Sequence, residues 1–117
     1  HVKAVDGVSM DIRAGETVAI VGESGSGKTT LGKGILQLNV PVVGSVKYNG
    51  EELTTLSKAA LRRKRTDLQI VFQDPYSSMN PRMMIKDIIE EGMLVHNIGT
   101  DEQDRTQRIE NLMQQVR

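Results

Sequence analysis

Over residues 8–12 the apolar side chains of Val8, Met10 and Ile12 alternate with Ser9 and Asp11. A period of two puts one set of side chains on a single face, so this stretch predicts a strand. Arg13-Ala14-Gly15-Glu16 reads as a turn. Residues 17–21 form a short, largely apolar run rich in β-branched side chains, the pattern of a parallel strand covered on both faces. Leu31, Ile35 and Leu38 then recur at i, i+4 and i+7, so residues 28–38 read as a helix, with Pro41 ending the segment. Gly32 and Gly34 lie inside it. Each costs about 1 kcal/mol relative to alanine in a helix interior, which predicts close packing of that helix on a neighbour.

Residues 44–48 read as a strand followed by Asn49-Gly50, a strong short turn signal. Ser57 is placed to cap a short helix ending near Arg65, and residues 68–72 (Leu-Gln-Ile-Val-Phe) predict the next strand, with Gln73 just beyond its end. Residues 74–82 hold Pro75 and Pro81 among small polar residues and read as a loop. A helix over 84–95 carries Ile85, Ile88, Ile89 and Met93 on one face. Thr100 with Gln103 suits a capping box before a last helix striped by Ile109, Leu112, Met113 and Val116. The start at His1 and the apolar stripe still running at Arg117 both read as cut edges of a longer chain.

Composition narrows the chemistry. Among 117 residues there is no cysteine, so disulfides, iron–sulfur clusters and thiolate sites are excluded. Lys+Arg and Asp+Glu are balanced at 15 each, but unevenly: residues 1–86 carry 12 basic and 8 acidic side chains, and 87–117 carry 3 and 7. No apolar run approaches membrane-spanning length. Five of the 11 glycines fall between positions 22 and 34, and that clustering locates the chemistry.

Gly22-Glu23-Ser24-Gly25-Ser26-Gly27-Lys28-Thr29 fits G-x-x-x-x-G-K-[ST] between a predicted strand and a predicted helix, the context in which this pattern cradles phosphates. Glycines remove Cβ obstruction so that loop amides converge, and the following helix adds its N-terminal dipole. In such a loop Lys28 would meet the β- and γ-phosphates of a nucleotide, and the Thr29 hydroxyl would ligate Mg²⁺.

The run from Val5-Asp6-Gly7-Val8 through this loop to Thr30-Leu31 resembles the opening of the nucleotide-binding domain of ATP-binding cassette (ABC) transporters. Gln73-Asp74-Pro75 and Asn80-Pro81-Arg82 resemble the Q-loop of that family's oligopeptide and dipeptide importers. The resemblance covers residues 1–117. It implies an α/β, phosphate-loop NTPase fold forming part of an ABC domain: residues 1–83 as a partial ATP-binding core with a β lobe, Walker A loop and Q-loop, and 84–117 as the start of a helical subdomain. It also implies ATP and Mg²⁺ as ligands. Gly22, Glu23, Ser24, Gly25, Ser26, Gly27, Lys28, Thr29 and Thr30 would hold the nucleotide, with Thr30 near the α-phosphate. Lys28 and Gln73 would take the catalytic positions, and Thr29 and Gln73 would meet the metal. The implied partners are transmembrane permease subunits, met through residues 74–82, and a second ATPase subunit, on the cytoplasmic face of the membrane. The sequence has no Leu-Ser-Gly-Gly-Gln-like signature, no apolar strand ending in Asp-Glu and no switch histidine after a core strand. These departures imply a chain that binds ATP without turning it over.

Two other classes compete. By the same resemblance, strands beside those ending at Val21 and Phe72 are missing, so the chain would self-associate with little nucleotide affinity. A small phosphate-loop kinase would need an acceptor site and lid arginines. The basic run Lys58, Arg62, Arg63, Lys64, Arg65 has no interleaved aromatics and reads as a solvated face, not a nucleic-acid site. Glu51-Glu52 and Glu90-Glu91 are adjacent pairs that point apart. His1 and His96 lack partners at metal-ligand spacing, and Ser24, Ser77 and Ser78 lack a histidine base.

Overall fold

The computed structural model describes residues 3–41 and 43–116, so His1 and Arg117, on which the expectation of a longer chain falls, lie outside the described residues. Two compact units divide at residues 62 and 63. The first holds α1 (Lys28–Ile35), β1 (Lys47–Tyr48), β2 (Glu51–Glu52) and most of α2 (Lys58–Lys64). The second holds α3 (Pro75–Ser78), α4 (Ile85–Val95) and α5 (Glu102–Gln115).

In the first unit the Arg13–Glu16 turn forms as expected: Glu16 N–H donates to Arg13 O at 3.0 Å, and Gly15 takes φ 76°. Asn49-Gly50 also turns the chain as read. Both residues have positive φ (49° and 80°), the condition for a two-residue loop that matches strand twist. β1 and β2 pair antiparallel with Tyr48 opposite Glu51 and Lys47 opposite Glu52.

Glu52 ties this hairpin together. Its carboxylate accepts from the Ser45 hydroxyl, from Val46 N–H at 2.9 Å, and from the hydroxyl and N–H of Thr54 at 2.6 and 3.2 Å. These donors, Ser45 and Thr54 first, hold its pKa down to about 2 from an ordinary 4.5. A lowered carboxylate pKa contributes stability that is complete above the ordinary value and disappears as pH falls through the lowered one. The amide resonances of Val46 and Thr54 are therefore expected to hold above about pH 4.5 and to move as pH falls toward 2, with Glu52→Gln removing that titration.

Helix α1 stops at Ile35, three residues before the expected end. Gln37 enters the left-handed region (φ 55°), Leu38 N–H donates to Lys33 O at 2.8 Å and Gln37 N–H to Gly34 O at 3.0 Å. That hydrogen-bond pair is a Schellman terminator, so the helix closes before Pro41 is reached. The packing inferred from Gly32 and Gly34 is not realised: a Cβ at either position would meet nothing within 4 Å.

The second unit is built on a helical hairpin. α4 ends in a second Schellman turn, with Ile98 N–H on Met93 O at 2.8 Å and Asn97 at φ 54°. The cap of α5 falls one residue later than read: Asp101, not Thr100, accepts from Asp104 N–H at 2.8 Å, and the Asp104 carboxylate accepts from Thr100 N–H at 3.0 Å. The bond from Thr100, followed by that from Arg108, lowers the Asp104 pKa. Met93 on α4 and Ile109 on α5 are buried, and Arg105 Nε reaches Glu90 Oε1 at 3.0 Å with both side chains largely covered. Ile109 is only 2% exposed. Ile109→Ala is expected to cost about 2–5 kcal/mol, read as loss of helical circular dichroism at lower denaturant concentration than in the wild type.

Three expected strands are not formed. Residues 8–12, 17–21 and 68–72 make no ladder among the described residues, and Val21 and Val71 are 92% and 91% exposed. A parallel strand needs a neighbour to receive its backbone groups, and among the described residues the sheet consists of β1 and β2 alone. The expected strand over 44–48 is realised only at its last two residues, and part of the expected loop after Gln73 is instead the single turn α3.

Candidate phosphate site

The loop over residues 22–27 is shaped by glycine where side chains would not fit. Gly25 and Gly27 take φ 78° and 95°, a region costly for other residues. Gly27 has a second constraint. A Cβ there would stand 2.4 Å from Ala4 O and 3.3 Å from Val5 Cγ2, so the backbone before the first expected strand passes directly against the loop's end. A Cβ on Gly22 would reach Ser26 Oγ at 2.7 Å. Ser26 N–H donates to Glu23 O at 3.2 Å, closing the turn within the loop.

Lys28 opens α1 and folds back over the loop. Its ammonium donates to Gly22 O at 2.8 Å, Glu23 O at 2.6 Å and Ser26 Oγ at 3.3 Å. An ammonium has three donors, and each has an acceptor here. The charge thus stands in the hollow of the loop, beside the start of a helix whose Gly27 N-cap supplies no side-chain cap. Thr29 is exposed and Thr30 half-buried on the first turn. Positive charge, uncapped helix amides and two hydroxyls make a donor set that suits a phosphate chain.

Gln73 lies in the second unit with its side chain exposed. The next residue organises the backbone after it: Asp74 Oδ1 accepts from Tyr76 N–H at 3.2 Å and Ser77 N–H at 3.3 Å, with Pro75 at the first helical position of α3. Asp-Pro is a helix-start signal in its own right. Arg82 N–H donates to Asn80 Oδ1 at 3.1 Å, so the second half of 74–82 is also locally bonded. Every residue from 71 to 82 is exposed.

Among the residues the sequence singled out, the structure brings Gly22, Glu23, Ser26 and Lys28 together through the lysine's contacts. The approach of Ala4 had no sequence signal, because the contact is made by a backbone carbonyl. The role of Glu52 has no sequence signal either, because its partners Ser45, Val46 and Thr54 meet it only in the finished hairpin.

The sequence matches the ABC transporter family over residues 5–117. The chain belongs to that family. Membership brings with it the phosphate-loop NTPase fold. A putative peptide import ATP-binding protein of Brucella ovis is 45% identical over 97% of this chain. A putative oligopeptide transport ATP-binding protein of Bacillus subtilis is 46% identical over 98%, and a peptidoglycan transport ATP-binding protein of Agrobacterium fabrum 43% over 99%. The chain spans 36%, 35% and 21% of these relatives' lengths, respectively. No solved structure matches it.

Proposed function

We propose that this ABC-family chain is the ATP-binding portion of a peptide-importing ATPase. The observation that carries the reading is the Lys28 ammonium held in the hollow of a glycine loop at the uncapped start of α1. In this reading residues 22–30 hold the phosphates, with Lys28 on the β- and γ-oxygens, the Thr29 hydroxyl on Mg²⁺ and Thr30 near the α-phosphate. Bound Mg²⁺ would neutralise charge on the phosphate oxygens. Gln73 is assigned to the metal and the attacking water, and residues 74–82, each of them exposed, to the permease subunits. Residues 1–83 form the nucleotide-binding part and 84–117 open the helical subdomain. The names of the relatives support peptides as the cargo class; in this reading, as an ABC-family ATPase, the chain works at the inner face of the membrane. No helix among the described residues is long and apolar enough to cross a membrane.

Because the signature and Asp-Glu strand are absent from this sequence, the chain is assigned binding without turnover. Calorimetric titration with Mg–ATP and with adenosine tests the first half: heat from ATP and none from adenosine is expected, and equal affinity for both contradicts a phosphate-directed site. Phosphate release from the wild type, well above that from Lys28→Ala, would contradict the second half.

Self-association is a second reading, favoured by the near-complete exposure of Val21 and Val71 in unpaired apolar runs. Light scattering across a dilution series decides it. Growth of the scattering mass with concentration is expected, and a monomer that binds Mg–ATP tightly overturns it.

A further inference from the structure

We infer that Asn49 is a site of spontaneous backbone modification, converting to aspartate and isoaspartate through a cyclic imide with Gly50. Three observations meet at this position. Asn49-Gly50 is the one Asn-Gly pair in the sequence; the other asparagines, Asn39, Asn80, Asn97 and Asn111, precede Val, Pro, Ile and Leu. The pair lies at the exposed tip of the β1–β2 hairpin, where a Cβ on Gly50 would meet nothing within 4 Å. Among the described residues no hydrogen bond engages the Asn49 side chain, whereas the neighbouring Glu52 carboxylate is held by several donors.

The chemistry balances with water as the only co-reactant. The Gly50 backbone nitrogen, giving its proton to solvent base, attacks Asn49 Cγ. The N–Cγ bond forms, the Cγ–Nδ2 bond breaks, and nitrogen leaves as ammonia. Water then opens the imide at either carbonyl. Opening at one returns a normal backbone with a carboxylate at position 49. Opening at the other routes the backbone through the former side chain and adds a methylene to it. A side chain on the following residue hinders the ring closure, and glycine has none.

The consequence reaches beyond the tip. A two-residue loop sets the register of its strands, so a lengthened backbone at position 49 cannot keep Tyr48 opposite Glu51. The clasp of Glu52 on Ser45, Val46 and Thr54 depends on that register and opens with it. Normal aspartate instead adds a negative charge beside Glu51 and Glu52.

The test is site-resolved peptide mapping of the intact chain, aged in mildly alkaline buffer at physiological temperature, with isoaspartate distinguished by chromatography. The same chain aged in denaturant serves as reference. Conversion at Asn49 about tenfold or more faster than at Asn39, Asn97 and Asn111 is expected, with the folded chain retaining a substantial fraction of the denatured rate. Asn49→Gln, which forms the corresponding six-membered ring reluctantly, is expected to leave this peptide unchanged. Conversion in denaturant with none in the folded chain would overturn the inference, because the hairpin would then protect the pair. Equal rates at all four asparagines would overturn it as well.

Discussion

Gly27→Ala is expected to disrupt the phosphate loop more than any other single methyl addition in the chain. Two costs add at that position. The left-handed backbone at φ 95° penalises an L side chain by about 1–2 kcal/mol. The new Cβ would also stand 2.4 Å from Ala4 O, a backbone atom that cannot swing aside as a side chain can; overpacking of this kind typically costs a further 1–3 kcal/mol or so. The loop must then give up either its own conformation or the segment bearing Ala4. Hydrogen exchange at Leu31 N–H, which donates to Gly27 O at 2.8 Å, reads the result. An acceleration of about thirtyfold or more corresponds to 2 kcal/mol or above. Gly25→Ala supplies the contrast: its φ of 78° carries the same conformational cost, but its Cβ would meet nothing within 4 Å. The Gly25 variant should therefore show a clearly smaller effect, and equal effects would mean that the Ala4 carbonyl does not constrain the loop.

Lys28→Ala is expected to weaken Mg–ATP binding by about 10²–10³-fold, the equivalent of losing one or two charge-assisted hydrogen bonds at roughly 1.5–3 kcal/mol each. The same substitution deletes the loop's internal clasp, because the three bonds to Gly22 O, Glu23 O and Ser26 Oγ all end on this one ammonium. Binding and loop order are thus linked through a single side chain. α1 itself should persist, since its own ladder and its Schellman terminator do not use the lysine side chain. Affinity measured by calorimetry should fall while the protection of Leu36 N–H, bonded to Gly32 O at 3.1 Å, stays near wild type. Loss of that protection would mean that the lysine acts on the fold rather than on the ligand.

What was legible in the sequence follows from how far each signal reaches. Turns and caps are decided within a few residues, so Asn49-Gly50, Arg13–Glu16 and the Ser57 cap, whose Oγ accepts from Ala60 N–H at 3.2 Å, all formed where expected. Where two local signals compete over one or two positions, the element boundary moves: Asp101 displaces Thr100 as the cap of α5, and a left-handed Gln37 ends α1 ahead of Pro41. Strands over 17–21 and 68–72 depend on partners distant in sequence. β-branched composition marks them as candidates but supplies no neighbour, and they remain unladdered among the described residues. The phosphate loop was readable because its chemistry demands glycine, lysine and threonine at fixed intervals. The Ala4 approach and the Glu52 clasp were not, since a backbone carbonyl has no sequence signature and a carboxylate's partners are set by the finished hairpin.

The central claim is that residues 22–30 receive the phosphates of ATP. Titrating Mg–ATP into the isotopically labelled chain and following backbone amide resonances tests it most directly. Saturable shifts concentrated on Gly25, Ser26, Gly27, Lys28, Thr29 and Thr30, and abolished in Lys28→Ala, are expected. Saturation that leaves these six resonances unmoved, or no shift at millimolar nucleotide while α1 remains folded, would contradict it.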